Sequence, residues 1–158
     1  EMYYYKYESF VGVLYIVSDD EHLLSIKIER PEEGRSFESE IIKDTMSQLD
    51  EYFNGKRKIF NLPLNILGTD FEKEVYNHMI NIPYGHTVSY KQLSETSGRA
   101  KAYRAVGSVC AKNPYPIVVP CHRILKSDQT LGGYALGLEM KVKLLELEGK
   151  TIINGKVS

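Results

Sequence analysis

Asn113-Pro114-Tyr115-Pro116-Ile117-Val118-Val119-Pro120-Cys121-His122-Arg123 is the stretch on which the reading of this chain turns. Each proline lacks a backbone donor and restricts the residue before it, so no helix continues through Pro114 and Pro116. The apolar run Ile117-Val118-Val119 then predicts a buried strand. At its mouth stands Cys121 next to His122, a thiol beside a base and therefore a candidate nucleophile. Taken alone the dipeptide is weak, because buried structural cysteines are common.

Upstream, small helices are expected. Thr69-Asp70-Phe71-Glu72 is an N-cap with a glutamate three residues on, followed by Val75, Met79 and Ile82 on one helical face. Ser89-Tyr90-Lys91-Gln92 repeats the capping pattern before Leu93, and Ser97-Gly98 breaks the chain after about two turns. A third helix over 100–112 carries the small residues Ala102, Ala105 and Gly107 together with Lys101 and Arg104. Short helix, glycine-containing turn and small-residue helix fit helix-turn-helix geometry, and equally an ordinary helical hairpin with a solvated basic face.

The N-terminal part reads differently. Residues 10–17 and 23–29 are rich in β-branched and aromatic residues on either side of Ser18-Asp19-Asp20-Glu21, which predicts a hairpin at the start. Residues 39–53 place Ile41, Ile42, Thr45, Leu49, Tyr52 and Phe53 at helical spacing, and Asn54-Gly55 supplies a stop. The segment 55–68 reads as a linker with a short strand, so the domains are cut into 1–68 and 69–158. Tyr3-Tyr4-Tyr5 reads as an edge strand with aromatic packing in preference to a stacking platform for single strands.

Composition bounds the function. The 158-residue chain has no run of about eighteen apolar residues and no basic stretch followed by an apolar block near its start, so neither a membrane span nor secretion is expected. Its two cysteines, Cys110 and Cys121, have no metal-ligand spacing and do not complete a site with the four histidines. No metal and no cofactor are expected, and the location expected is cytoplasmic, or nuclear in a eukaryote. The net charge of −1 conceals an uneven distribution: residues 84–127 carry Lys91, Arg99, Lys101, Arg104, Lys112, Arg123 and Lys126 against Glu95 alone. An acidic support holding one basic surface is the pattern of a nucleic-acid binder.

The string from Asn113 to Arg123, with Pro-Cys-His-Arg at its core, resembles the active-site signature of the O6-alkylguanine-DNA alkyltransferase family. The match extends over Val88-Ser89-Tyr90-Lys91-Gln92-Leu93 and Arg104-Ala105-Val106-Gly107 upstream, and over Gly132-Gly133-Tyr134 and Leu144-Leu145-Glu146-Leu147-Glu148-Gly149 downstream. It covers residues 69–149 and is weak over 1–68. The resemblance implies an α+β protein with a small N-terminal α/β support domain, ribonuclease H-like, and a C-terminal helical domain of winged-helix or helix-turn-helix type that carries the active site.

For the residues, the resemblance implies Cys121 as a single-use alkyl acceptor with His122 as its base. Glu148 would be the carboxylate behind His122, Tyr90 a donor to the purine, and Asn113 a tie between the recognition-helix turn and the site. Arg104 would fill the space of a flipped nucleotide while its helix enters the minor groove of duplex DNA, with Lys101, Ala105, Gly107 and Ser127 at the DNA. Tyr134 and Ala135 would cover the extruded base, and Ile124 and Pro116 would complete the substrate pocket, the Ile124 carbonyl reading the exocyclic amine. Arg123 reads as an ion-pair partner holding the active-site turn.

Leu136 and Cys110 depart from the glycine and methionine of some relatives, and both bear on pocket width. The reaction implied is stoichiometric transfer of the O6-alkyl group of guanine, chiefly methyl, and of O4-methylthymine, by a monomer. The alternatives are a non-enzymatic alkylated-base binder of the same fold, which would lack the cysteine, and a winged-helix regulator, which would need neither Tyr134 nor Glu148. A thiol hydrolase is disfavoured because a thioether is not readily cleaved by water.

Overall fold

A computed structural model describes residues 1–158. The chain divides into two compact units, residues 1–65 and 66–158.

In the first unit, β1 (Tyr3–Ser9) and β2 (Gly12–Ser18) form an antiparallel hairpin, with Tyr3 opposite Ser18 and Ser9 opposite Gly12. Strand β3 (Leu23–Lys27) continues the sheet on the β2 side, and β4 (Arg35–Ser36) pairs parallel to β1, giving the order β3-β2-β1-β4. Helix α1 (Glu40–Phe53) lies on β1 and β2, burying Ile42, Thr45, Leu49 and Tyr52 against Leu14 and Ile16. Its start follows from Ser39, whose hydroxyl accepts from the Ile42 N–H at 3.2 Å. Tyr7 donates to Asp50, a further tie between sheet and helix.

Three expectations are corrected here. The expected hairpin of 10–17 and 23–29 is present as β2 and β3, but a further strand, 3–9, precedes it: Phe10 and Val11 form the turn between β1 and β2, closed by the Ser9 hydroxyl donating to the Gly12 carbonyl at 2.6 Å, with Gly12 at φ 130°. The tyrosine cluster is not on an edge strand, because β4 returns to pair beside Tyr3 and Tyr4. The short strand expected in 55–68 is reduced to one bridge, Leu64 with Leu23. That segment is held by the side chain of Gln48, which donates to the Asn61 carbonyl and accepts from the Asn61 N–H, both at 2.9 Å.

In the second unit, α2 (Asp70–Ile80) opens with a full capping box between Thr69 and Glu72. A short strand β5 (Val88–Ser89) leads into α3 (Tyr90–Thr96), also boxed, by Ser89 and Gln92. Helix α4 (Tyr103–Ala111) follows, and α2, α3 and α4 pack on one another through Val75, Met79, Leu93, Val106 and Val109.

Helix α4 begins later than the residue 100 expected from sequence. The Ser94 hydroxyl accepts from the Ala102 N–H at 3.0 Å and donates to the Arg99 carbonyl, so residues 97–102 are stapled as a turn and Lys101 and Ala102 precede the helix.

The strand expected at 117–119 is absent. These residues form a buried turn in which the Val119 N–H donates to the Tyr115 carbonyl at 2.8 Å and Ile117 takes φ 77°. Left-handed backbone at a β-branched residue costs about 1–3 kcal/mol and persists only where surroundings impose it. A one-turn 3-10 helix at Cys121–Arg123 then runs into β6 (Ile124–Leu125), parallel to β5. Helix α5 (Leu138–Leu147) and the hairpin of β7 (Ile152–Ile153) and β8 (Lys156–Val157) complete the unit.

Candidate active site

The irregular turn before Cys121 is organised by one side chain. Asn113, 4% exposed, accepts from the Tyr115 N–H at 2.9 Å through its carbonyl oxygen. Its amide nitrogen then donates to the Val119 carbonyl at 2.9 Å and to Cys121 Sγ at 3.2 Å. The same amide that shapes the turn therefore touches the thiol. Burial pushes the Cys121 thiol up to about 11, partly offset by the Asn113 hydrogen bond and the charge of Lys141. The sulfur rests protonated and needs a base to react.

His122 is wholly buried, and its Nε2–H donates to Glu148 Oε2 at 2.7 Å. Burial holds the imidazole below its usual range despite the carboxylate beside it, so the ring is neutral. With the proton on Nε2, Nδ1 presents a lone pair, and that buried atom has no protein partner. Glu148 caps the C-terminal end of α5. Arg123 grips it as a fork, Nε to Oε1 at 2.8 Å and Nη2 to Oε2 at 3.0 Å, and the Gly85 N–H adds a contact of 3.2 Å. Burial opposes the Glu148 charge, but the bonds from His122 and Arg123 outweigh it and hold the carboxyl well below its ordinary range.

Cys121 opens into a pocket of about 300 Å³ lined by Tyr90, Gly107, Cys110, Ala111, Cys121, Gly133, Tyr134 and Ala135. Burial, reinforced by the two cysteines, pushes the Tyr90 phenol up to about 12, which keeps it a hydrogen-bond donor. Gly132 sits at φ 70°, and a Cβ there would lie 3.0 Å from the Tyr90 hydroxyl, so only glycine lets the loop pass. The rings of His122 and Tyr134 meet edge to face, 6.3 Å apart.

Cys121, Tyr90, Gly107, Tyr134 and Ala135 thus share one pocket, with Asn113 bonded to the thiol and the next residue in the chain, His122, paired to Glu148. Ile124 and Pro116 are buried and do not line it; the Ile124 carbonyl accepts from Lys141 Nζ at 2.7 Å. Of the two departures noted in the sequence, Cys110 is part of the wall and Leu136 is not. Lys101, Arg104, Ala105 and Ser127 are exposed. The basic surface is smaller than the residue count implied, because Arg123 is buried on Glu148 and Lys112 pairs with Glu72 at 2.9 Å. Lys91, Arg99, Lys101, Arg104 and Lys126 remain exposed.

Sequence reasoning missed Ala111, Gly85 and Lys141. For Lys141 a signal existed, since it shares helical spacing with Leu144, Leu145 and Glu148, all buried.

Residues 70–150 match the DNA-binding domain of 6-O-methylguanine DNA methyltransferase, and residues 2–66 match the ribonuclease-like domain of the same family. The chain belongs to the 6-O-methylguanine DNA methyltransferase family.

Among its relatives is the methylated-DNA–protein-cysteine methyltransferase of Methanosarcina acetivorans, 40% identical over 94% of this chain and 99% of the relative. The Haemophilus influenzae protein of that name is 38% identical over 93% of this chain and 86% of its own. The crystal structure of the Mycobacterium tuberculosis O6-methylguanine methyltransferase superposes with a TM-score of 0.84 at 32% identity, over 94% of this chain and 93% of that one. A Mycobacterium tuberculosis relative in complex with DNA gives 0.85 at 32% identity, covering 92% of each. The two-domain α+β architecture expected from the sequence is the one these relatives share.

Proposed function

We propose that this methyltransferase-family chain repairs DNA by direct reversal, taking the O6-methyl group of guanine irreversibly onto Cys121. The observation that carries the reading is a buried thiol, hydrogen-bonded by Asn113 and lining a pocket of about 300 Å³, in a residue adjacent in sequence to the buried His122–Glu148 pair. In the step proposed, an S–C bond forms as the C–O6 bond breaks. The thiol proton passes through a water to His122 Nδ1, the guanine released takes up one proton from solvent while the Tyr90 phenol hydrogen-bonds the ring, and the imidazolium returns its proton to solvent, so no net proton is gained or lost. A thioether does not expel carbon to water, so each chain acts once.

A base inside duplex DNA cannot reach a buried thiol, so the nucleotide must rotate out. Helix α4 is proposed to enter the minor groove with Arg104 filling the vacated space, Lys101 and Ser127 at the phosphates, and Ala105 and Gly107 allowing close approach. Tyr134 and Ala135 would hold the extruded base. O4-methylthymine, a smaller base with the same alkoxy chemistry, is proposed as a second substrate.

Intact-mass measurement after incubation with duplex DNA containing O6-methylguanine tests this. A gain of about 14 Da, one methylene equivalent, is expected on Cys121 and not in Cys121→Ser. An unmodified protein that still binds the lesion, or several lesions repaired per chain, would overturn the proposal.

A further inference from the structure

Lys141 is a lysine in the core. It lies in the first turn of α5, is 0% exposed, and ranks with Leu14, Ile16 and Met79 among the fully buried side chains. Its partners are three backbone carbonyls and no carboxylate: Ile124 at 2.7 Å, Gly133 at 3.1 Å, and Leu131 in a shorter contact. An ammonium has three donors, and all three are used. A helix needing only apolar filler at this position would carry leucine or methionine, because an ammonium is costly to bury.

The carbonyls chosen connect two parts of the site. Ile124 lies in β6, three residues after Cys121, whereas Leu131 and Gly133 belong to the loop that supplies Gly133, Tyr134 and Ala135 to the pocket wall. That loop also meets Tyr90, through the Gly133 amide and the tight passage at Gly132.

We propose that Lys141 is a positioning residue, a latch whose buried ammonium clamps the pocket loop to β6 and so sets the distance and direction between the Cys121 sulfur and a base held by the loop. Displacement at an alkyl carbon requires sulfur, carbon and leaving oxygen in line, and a shift of about 1 Å in a positioned group costs on the order of 100-fold in rate. The latch reaches the chemistry chiefly through the loop, its charge easing the Cys121 thiol down only in part, and it touches no reacting atom. Burial lowers the Lys141 ammonium to about 8, so near neutrality it still carries its charge.

This inference rests on the proposed transfer to Cys121, and its test separates the two. Lys141→Met is prepared in the full chain, with Lys141→Gln, which keeps an N–H donor, as the second variant should the first not fold. Three quantities are read: the single-turnover rate on saturating O6-methylguanine duplex, the alkylation rate of Cys121 by iodoacetamide, and amide hydrogen exchange across 131–135. The latch predicts a transfer rate reduced about 100-fold, iodoacetamide alkylation reduced far less, by no more than the loss of the Lys141 charge near the thiol costs, and faster exchange in the loop with unchanged exchange in α3. Undiminished transfer overturns it, as does unchanged loop exchange. A parallel loss of transfer and alkylation also overturns it, since the lysine would then act on the thiolate by its charge. If the wild-type protein transfers no methyl group, the proposed function fails, while loop exchange still decides the latch.

Discussion

Cys121 and His122 are both held neutral by burial, the thiol pushed up and the imidazole down. Proton transfer between them is therefore the step that creates the nucleophile, and Glu148 is the group that makes it favourable by stabilising the imidazolium that results. Replacing Glu148 with Gln leaves the Arg123 fork buried without its counter-charge. The expected cost is about 3–5 kcal/mol of stability by chemical denaturation, with methyl transfer slowed at least about 100-fold in single-turnover assays. The His122 ring should show no protonation near its ordinary value of about 6.5 when followed by NMR from pH 8 to 6, its transition lying lower. Gly132→Ala would force a Cβ into the Tyr90 ring at a left-handed backbone position. A loss of about 1–3 kcal/mol is expected, and transfer should fall further than stability accounts for, because the Tyr90 phenol is displaced.

The N-caps Thr69 and Ser89 were legible because capping is local, using side chains within three residues of the groups they satisfy, and Ser39 caps α1 by the same geometry. The α3–α4 turn was legible in kind and misplaced in extent. Its start is set by Ser94, eight residues before the amide it binds. Exposed Lys101 and Arg104 should differ in effect. Lys101→Ala should weaken binding to any duplex and lower the slope of log affinity against log salt by about one. Arg104→Ala should slow transfer from duplex much more than from a single-stranded oligonucleotide, where no stack has to be opened. Equal slowing on both substrates would remove the flipping role proposed for it.

Across the whole molecule, acid should unfold this protein partly through one carboxyl. Glu148 has a folded-state pKa held below its unfolded value of about 4.3, so the unfolded chain binds that proton more readily. The stability it contributes is complete above about pH 4.3 and is lost as pH falls toward the folded value. Urea midpoints measured from pH 7 to pH 3 should drop for the wild type, and this drop should be shallower in Glu148→Gln. The sequence by itself determined the hairpin of β2 and β3, the helices α1 to α3 with the caps Thr69 and Ser89, the change from a strand-rich to a helix-rich half, and the motif around Cys121, because each is written in residues close along the chain. Only the tertiary structure decided that 117–119 is a turn, since its left-handed Ile117 is imposed by Asn113 and burial against a strong strand propensity. Tertiary contacts also neutralised Arg123 and Lys112 and carried Lys141 into the core. Partners 25, 40 and 17 residues away lie beyond any local pattern, and the two charges among these that are buried, Arg123 and Lys141, are stable only because the fold brings such partners to them.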